Sequence, residues 1–429
     1  MSTPFLYRAW VAASSALLPV AGGAEIRKLR KAGVPRARAR EKLGRASLPR
    51  PDAQPLIWFH AASVGESLSV LALIGRMGVV LPNAEFLLTS GTATSAELIA
   101  KRLPERTRHQ FAPLDAPGPL RRFLRHWRPD AAIFVESELW PQMLRRTRES
   151  GARMALVNAR LSETSVARWQ ARPDLARYLL EVFDLVLTQN ATMAETMRDL
   201  GAPADRIAEG MNLKGLSDPL PIDQEALNAA RAALGERPVW VASSTHPGEE
   251  REVLLAHKIL LRDRPDLCLI LAPRHPDRSA EVTALIAAEG MSFSRRSRGD
   301  LPAGQVFLAD TMGELGIWYA LSPIVFLGGS LNPVGGHNPF EVIQSDAAVL
   351  SGVHVAAFAE TYAALEMGTA ARLVADGEDL AAKVADWLGD PQALESARAA
   401  GARFIGNQTH KLDAVSDRII AALDLRRHD

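Results

Sequence analysis

A succession of short β-rich apolar runs, each followed by a segment of helical length, limits what this chain can fold into. The runs are Leu56–Phe59, Glu85–Thr89, Ala131–Val135, Met154–Val157 and Leu185–Thr188, then Pro238–Ala242, Leu267–Ala272, Gln305–Leu308, Ile324–Leu327 and Ala347–Leu350. Such alternation is the pattern of parallel-sheet α/β domains. The turn-rich segment Ser217-Asp218-Pro219-Leu220-Pro221 separates the two series and reads as a linker. Two Rossmann-like halves are expected.

An internal echo supports that division. The first series opens with Ile57-Trp58-Phe59-His60-Ala61-Ala62-Ser63-Val64-Gly65-Glu66, the second with Val239-Trp240-Val241-Ala242-Ser243-Ser244-Thr245-His246-Pro247-Gly248-Glu249. Each is a strand, a turn of small residues, and Gly-Glu at the start of a helix. Ligands of open α/β sheets bind beyond the carboxyl ends of the strands, so both loops are expected to face one interdomain cleft. The bland alternative is that each glutamate merely starts a helix, where the helix dipole favours an acid.

A length of 429 residues, 47% hydrophobic and 23% charged, suits two or three globular domains better than one. The formal net charge of +1 argues against a polyanion binder, nucleic acid included. Attraction to acidic partners must come from a local cluster. One exists at Arg27, Lys28, Arg30, Lys31, Arg36, Arg38, Arg40, Lys42 and Arg45, with Glu41 the single acid among them. The only cysteine, Cys268, sits in the apolar run Leu267–Leu271 and reads as a core residue. One cysteine excludes an internal disulfide framework or a cysteine-based zinc site, and fits a reducing compartment.

Ahead of the basic cluster, Phe5–Val20 is apolar, with Tyr7 and Trp10, broken by Arg8 and ended by Pro19. At about 1.5 Å per residue it reaches about 24 Å, short of the roughly 30 Å hydrocarbon core. Small residues follow at Ala21–Ala24, yet most positive charge comes after the apolar part, unlike in a signal peptide. The preferred reading is a helix lying on the membrane, Trp10 in the interface and the cations on anionic headgroups of the cytoplasmic face. An ordinary packed helix with a solvated basic face is the alternative.

The segment Phe326–Glu341 runs from a strand through a glycine-rich turn into a helix whose first turn carries Asn338, Pro339 and Glu341. Paired glycines allow close backbone approach to a ligand, and free N–H groups at a helix start attract phosphate. Pro339 suits that first turn. A nucleotide-activated sugar is the ligand class expected here.

With these pieces in place the chain resembles the 3-deoxy-D-manno-octulosonic acid (Kdo) transferases. The motifs, in order, are His60-Ala61-Ala62-Ser63-Val64-Gly65-Glu66-Ser67, Glu136-Ser137-Glu138-Leu139-Trp140-Pro141, Val157-Asn158-Ala159-Arg160-Leu161-Ser162 and Asn212-Leu213-Lys214. Then come Ser244-Thr245-His246-Pro247-Gly248-Glu249-Glu250, Pro273-Arg274-His275-Pro276, Met312-Gly313-Glu314-Leu315 and the Gly328–Glu341 loop. The resemblance implies an α/β glycosyltransferase of the GT-B architecture, two Rossmann-like domains facing a central cleft, with a short N-terminal membrane-anchor helix. The expected segments are 1–47 for anchor and basic stretch, 48–218 for an acceptor-binding domain, and 219–429 for a domain binding CMP-Kdo. A C-terminal helix near Leu412–Arg426 is expected to cross back. The implied reaction is inverting transfer of Kdo from CMP-Kdo to a lipid A precursor, in lipopolysaccharide core biosynthesis at the cytoplasmic face of the bacterial inner membrane, with no metal or other cofactor. Another two-domain nucleotide-sugar enzyme, a different glycosyltransferase or an epimerase, is the alternative. One departure is Met211, inserted between Gly210 and Asn212 where the family usually reads Gly-Asn-Leu-Lys.

Direct displacement needs one base and stabilisation of the departing phosphate. The resemblance makes Glu66 the base, with an apolar wall expected to raise its pKa, and gives Glu136 and Lys214 transition-state roles. Lysine suits charge gathering on phosphate and carboxylate; Glu136 is read as orienting Lys214 or the acceptor. Glu138 is the weaker candidate. On the donor side, Pro273 fixes the turn that presents Arg274 to a phosphate. Met312, Gly313 and Glu314 would line the base, while Asn338, Pro339, Phe340 and Glu341 close the site, with Glu341 toward the ribose hydroxyls. His246, His275 and His337 are left outside the catalytic set, since a lone histidine is more often structural.

Overall fold

The computed structural model describes residues 3–52, 55–213 and 219–428. The chain divides into two compact units, Met1–Ser217 with Thr409–Asp429, and Asp218–Gln408.

The first unit is built on β1 (Leu56–His60), β2 (Glu85–Ser90), β3 (Thr107–Phe111), β4 (Ala131–Val135), β5 (Arg153–Ala159), β6 (Leu185–Thr188) and β7 (Ile207–Glu209). All pair in parallel, in the order β3-β2-β1-β4-β5-β6-β7. Alternate residues of β1 serve opposite faces, as strand geometry requires. Ile57 and Phe59 pack in one buried cluster with Leu73, Ile74 and Met77. Leu56 and Trp58 pack in another with Phe123, Trp127 and Leu144. Leu412, Val415, Ile419 and Ile420, from the last part of the long helix Pro391–Ala422, complete the first cluster.

The second unit holds β8 (Val239–Thr245), β9 (Cys268–Pro273), β10 (Phe293–Arg295), β11 (Val306–Leu308), β12 (Ile324–Leu327), β13 (Ala348–Gly352) and β14 (Ala371–Val374). They too are parallel, in the order β10-β11-β9-β8-β12-β13-β14. Cys268 is buried beside Val241 and Ile270. In both units the first strand is central and the chain later crosses to its other side. The strand order therefore reverses at β1/β4 and at β8/β12, the switch points where open α/β sheets bind ligands.

The strands that the apolar runs do not announce are β3, β7, β10 and β14, the four outer strands of the two sheets. Their sequences, such as Thr-Arg-His-Gln-Phe in β3 and Phe-Ser-Arg in β10, are short or polar. An edge strand has one neighbour and less to bury, and charge on it deters pairing with other chains.

At the N-terminus the structure departs from expectation. Pro19 lies inside a 27-residue helix, Phe5–Lys31, and does not end it. That helix has the length and apolar composition to cross a membrane. One side is committed to the first unit: Tyr7 is buried edge-on against Tyr178, the Trp10 indole N–H donates to Asp115 at 2.6 Å, and Gln142 donates to Ser14 Oγ at 2.6 Å. The basic cluster is also not uniformly solvated. Lys42 is buried, which lowers its pKa, and Arg38 hydrogen-bonds to His109 at 2.7 Å.

Candidate active site

In the first unit three carboxylates come together where β1 and β4 end. Glu66 is in the first turn of the helix Val64–Ser69, capped by Ser63. Its backbone N–H donates to Ser63 Oγ at 3.2 Å, the Ser63 hydroxyl donates to Oε1 at 2.9 Å, and the Ala62 N–H donates to Oε2 at 2.9 Å. This is a variant of the capping box, with the carboxylate reaching the N–H before the N-cap, so the helix-start role is real. It does not exhaust the carboxylate, since the residue stays partly exposed. Burial raises its pKa, and the charges of Glu138 and Glu136 add to the rise against the hydrogen bonds from Ser63 and Ala62. The expected apolar wall is thus only part of the cause: like charges supply the rest.

Glu138 is buried and anchored. Its Oε2 lies 3.2 Å from His60 Nε2, and the Trp140 indole donates to it. Burial alone would raise its pKa, but these contacts hold it below the usual range. His60 is itself fixed through Nδ1 to Thr89 Oγ1 at 3.0 Å, and Thr89 accepts from Trp58 at 2.8 Å. An ionised Glu138 is therefore held in place near Glu66.

Glu136 follows β4 directly with φ 56°, and Asn158 in β5 has φ 54°. Such left-handed backbone in residues other than glycine is uncommon and clusters at functional sites. Asn158 donates to Glu136 Oε1 at 3.3 Å, while its Oδ1 accepts from Gln189 at 2.9 Å and from the Leu213 N–H at 3.2 Å. Lys214 lies outside the described residues. The residue before it is nonetheless pinned to the amide that contacts Glu136. Asn158 and His60 were passed over by sequence reasoning, and Glu138, ranked there as the weaker candidate, lies beside Glu66. Asn158 stood inside a quoted motif, but nothing in its type announces a link between two strands and a distant loop.

In the second unit the expected donor residues follow adjacent strands. Pro273 is the last residue of β9, opposite Thr245 of β8, and Arg274 is exposed just after it with its N–H bonded to the Thr245 carbonyl at 3.0 Å. After β11, Met312 is 70% exposed and Gly313 has φ +85°. Glu314 is engaged by Arg296, Nη2 to Oε1 at 2.6 Å, and by the Thr311 hydroxyl; the arginine hydrogen bond holds its pKa down. Arg296 was not foreseen, and its distance in sequence from Glu314 gave no signal.

The helix after β12 is shorter and later than expected. It spans Phe340–Gln344, with Pro339 as the cap before it, and Asn338 Oδ1 accepts the Phe340 N–H at 3.1 Å. Phe340 is a core residue against Phe404. Glu341 is partly exposed, and its charge acts on the buried Tyr319, whose hydroxyl is 2.9 Å from Ser243 Oγ. The N–H groups of Gly329, Ser330 and Leu331 do not await a ligand. All three donate to Glu249, at 2.7, 2.8 and 2.8 Å. These three amides are filled internally and are distinct from the helix-start N–H groups near Phe340, where phosphate was expected. Beside the glycine-rich turn, His246 and His337 stack with Nε2 atoms 3.0 Å apart. Burial, then the partner ring and Arg274, lowers His337 to about 4. Among the described residues no cluster of His, Cys, Asp and Glu has the arrangement of a metal site.

Residues 37–216 match the family model described as 3-deoxy-D-manno-octulosonic-acid transferase (kdotransferase). A 3-deoxy-D-manno-octulosonic acid transferase of Rickettsia felis is 34% identical over 368 residues, covering 84% of this chain and 78% of that protein. A glycosyltransferase of Rickettsia africae is similar in structure, with a TM-score of 0.56 and 15% identity over 86% of this chain and 98% of that one. A UDP-GlcNAc 2-epimerase from Neisseria meningitidis gives the same TM-score of 0.56 at 11% identity, over 86% and 99%. These two likenesses bear on the fold alone, which is GT-B-like, with two parallel-sheet α/β domains.

Proposed function

The chain belongs to the Kdo transferase family of glycosyltransferases, and from that premise we propose that it moves Kdo from CMP-Kdo to a lipid A precursor, with Glu66 as the base. The observation that carries this reading is the environment of Glu66: a partly exposed carboxylate at a sheet's switch point, its pKa raised by burial and by Glu138 and Glu136. A general base works best with a pKa near the operating pH, so the shift has the useful sign. The epimerase alternative draws support from fold likeness only.

In this mechanism Glu66 takes the proton of an acceptor hydroxyl, whose oxygen forms a bond to the anomeric carbon of Kdo. The bond from that carbon to the phosphate oxygen breaks, and CMP leaves with the electron pair. One displacement inverts the configuration. Arg274 meets the phosphate charge and Lys214 shares it. Glu136, tied to Asn158, orients Lys214 through the short stretch that Asn158 also holds at Leu213. Met312, Gly313 and Glu314 take the base side of CMP, and Asn338, Pro339, Phe340 and Glu341 frame the ribose side.

The N-terminal helix lies on an anionic membrane surface at the cytoplasmic face of the inner membrane. At about 100° per residue, Phe5, Leu6, Ala9, Ala13, Ala16, Leu17 and Val20 share one face, and Arg27 and Lys31 continue it. Phe5, Leu17 and Val20 are 80%, 61% and 75% exposed, a costly arrangement in water alone. The adjoining side holds Tyr7, Trp10 and Ser14, which bind the first unit; a spanning helix would give those contacts up. That favours lying on the bilayer over crossing it.

The test is incubation of detergent-solubilised protein with freshly generated CMP-Kdo and a tetraacyl lipid A precursor, products resolved by mass. A gain of one or more Kdo units is expected. Intact acceptor alongside folded protein would send the reading to another sugar nucleotide.

A further inference from the structure

The glycine-rich turn after β12 resembles an anion cradle, and its anion is already in place. Glu249 is 0% exposed. Its Oε2 accepts from the N–H groups of His246 at 2.8 Å and Gly329 at 2.7 Å; its Oε1 accepts from Ser330 and Leu331 at 2.8 Å each. Four backbone donors on one buried carboxylate leave those amides no capacity for a phosphate.

The glycines fit the same account. A Cβ on Gly328 would come within 2.9 Å of Glu249 Oε2, and one on Gly329 within 2.8 Å of the His337 ring. Gly329 also has φ +68°, which favours glycine. These residues make room for an internal carboxylate and an internal imidazole. The turn thus shaped sets His337 against His246, whose own N–H is one of the four held by Glu249.

We propose that Glu249 is the positioning residue of the donor site, and that the His246–His337 pair it sets beside Arg274 contacts the anionic part of the donor. This rests on the reading that the second unit binds CMP-Kdo. Three observations beyond Glu249 support it. The pair stands at the β8/β12 switch point, where parallel sheets receive ligands. Both rings are partly exposed, and Arg274 and His275 are exposed next to them. Arg274 acts electrostatically on both rings, and His275 stacks edge-on to His246 at 5.7 Å. The nearby acids are spoken for: Glu249 by the four amides, Glu250 by Arg278 at 2.7 Å and Thr245 at 3.0 Å. One ring spends its only proton on the other across the Nε2–Nε2 contact, so the pair offers one Nδ1–H donor beside the cationic arginine, a set suited to phosphate or carboxylate.

The test compares wild type with Glu249→Gln, whose amide carries one acceptor oxygen where two are used. For the folded variant we expect the KM for CMP-Kdo to rise tenfold or more with kcat changed less than threefold, and amide exchange of residues 329–331 to accelerate. His337→Ala should raise the same KM without that faster exchange. A wild-type KM in folded Glu249→Gln, or a loss confined to kcat, overturns the proposal. Should Glu249→Gln fail to fold, Gly329→Ala crowds His337 directly and must raise KM; an unchanged KM there overturns it equally. If wild type turns over no CMP-Kdo, the functional reading fails on its own. Calorimetric binding of CMP by wild type and His337→Ala then decides the inference: at least tenfold weaker binding to the variant upholds it, equal binding overturns it.

Discussion

At the scale of the residue, the same position in two repeats does two different jobs. Glu66 and Glu249 both follow Gly in the turn after a central strand, and both carboxylates accept from the turn behind them. Glu249 is sealed by three further amides of a glycine-rich loop, whereas Glu66 stays partly open and near two other acids. The sequence echo revealed the shared position, and nothing in Gly-Glu separates a sealed carboxylate from a partly open one. That difference depends on what the neighbouring strand delivers: Gly328–Leu331 in one case, Glu136–Glu138 in the other. The charge of Glu138 is a cause of the raised Glu66 pKa, so its removal has a definite sign. In Glu138→Gln the acid limb of the transfer rate should move to lower pH. A pH profile of kcat/KM checks this, and a limb that stays in place or moves up contradicts it.

Among the elements, the buried strands were legible because apolar runs are the direct record of burial on both faces. The outer strands β3, β7, β10 and β14 were not, because an edge carries polar residues and little apolar area. The helix starting at Phe340 was expected earlier because Asn338 and Pro339 look like a first turn, while the structure uses Asn338 to cap it from outside. Helix Glu249–Leu260 contributes a titration. His257 Nδ1 accepts from the Trp240 indole at 3.1 Å and its Nε2–H donates to the Gln305 carbonyl at 2.9 Å. Burial lowers its pKa from 6.5 to about 4, with the charge of Arg237 adding to the fall. Between these values the unfolded chain binds a proton that the folded one refuses, so stability is lost as pH falls from about 6.5 toward 4. At about 1.4 kcal/mol per unit the full loss is about 3 kcal/mol. Urea unfolding of the second unit at pH 7 and pH 5 should display a weaker fold at pH 5, with the difference reduced in His257→Gln. An equal loss in that variant would locate the effect elsewhere.

On the scale of the whole molecule, one topology is used twice, and each copy gathers charged or polar side chains where the strand order reverses. The first unit carries the carboxylates and the N-terminal helix; the second carries arginine and histidines. The helix gives the account a prediction about location. Co-sedimentation with vesicles containing anionic lipid should be strong at low salt and weaken as salt screens Arg27 and Lys31. Leu17→Glu with Val20→Glu should abolish it while the isolated enzyme stays folded; unchanged binding would exclude the helix as the contact. The central claim remains the base. Single-turnover transfer from CMP-Kdo, by wild type and by Glu66→Gln of matched circular dichroism, tests it most directly. The account predicts a rate lower by roughly 10²–10⁴-fold, the usual range for losing a general base, with CMP-Kdo still bound. A variant that transfers Kdo at near the wild-type rate would contradict it.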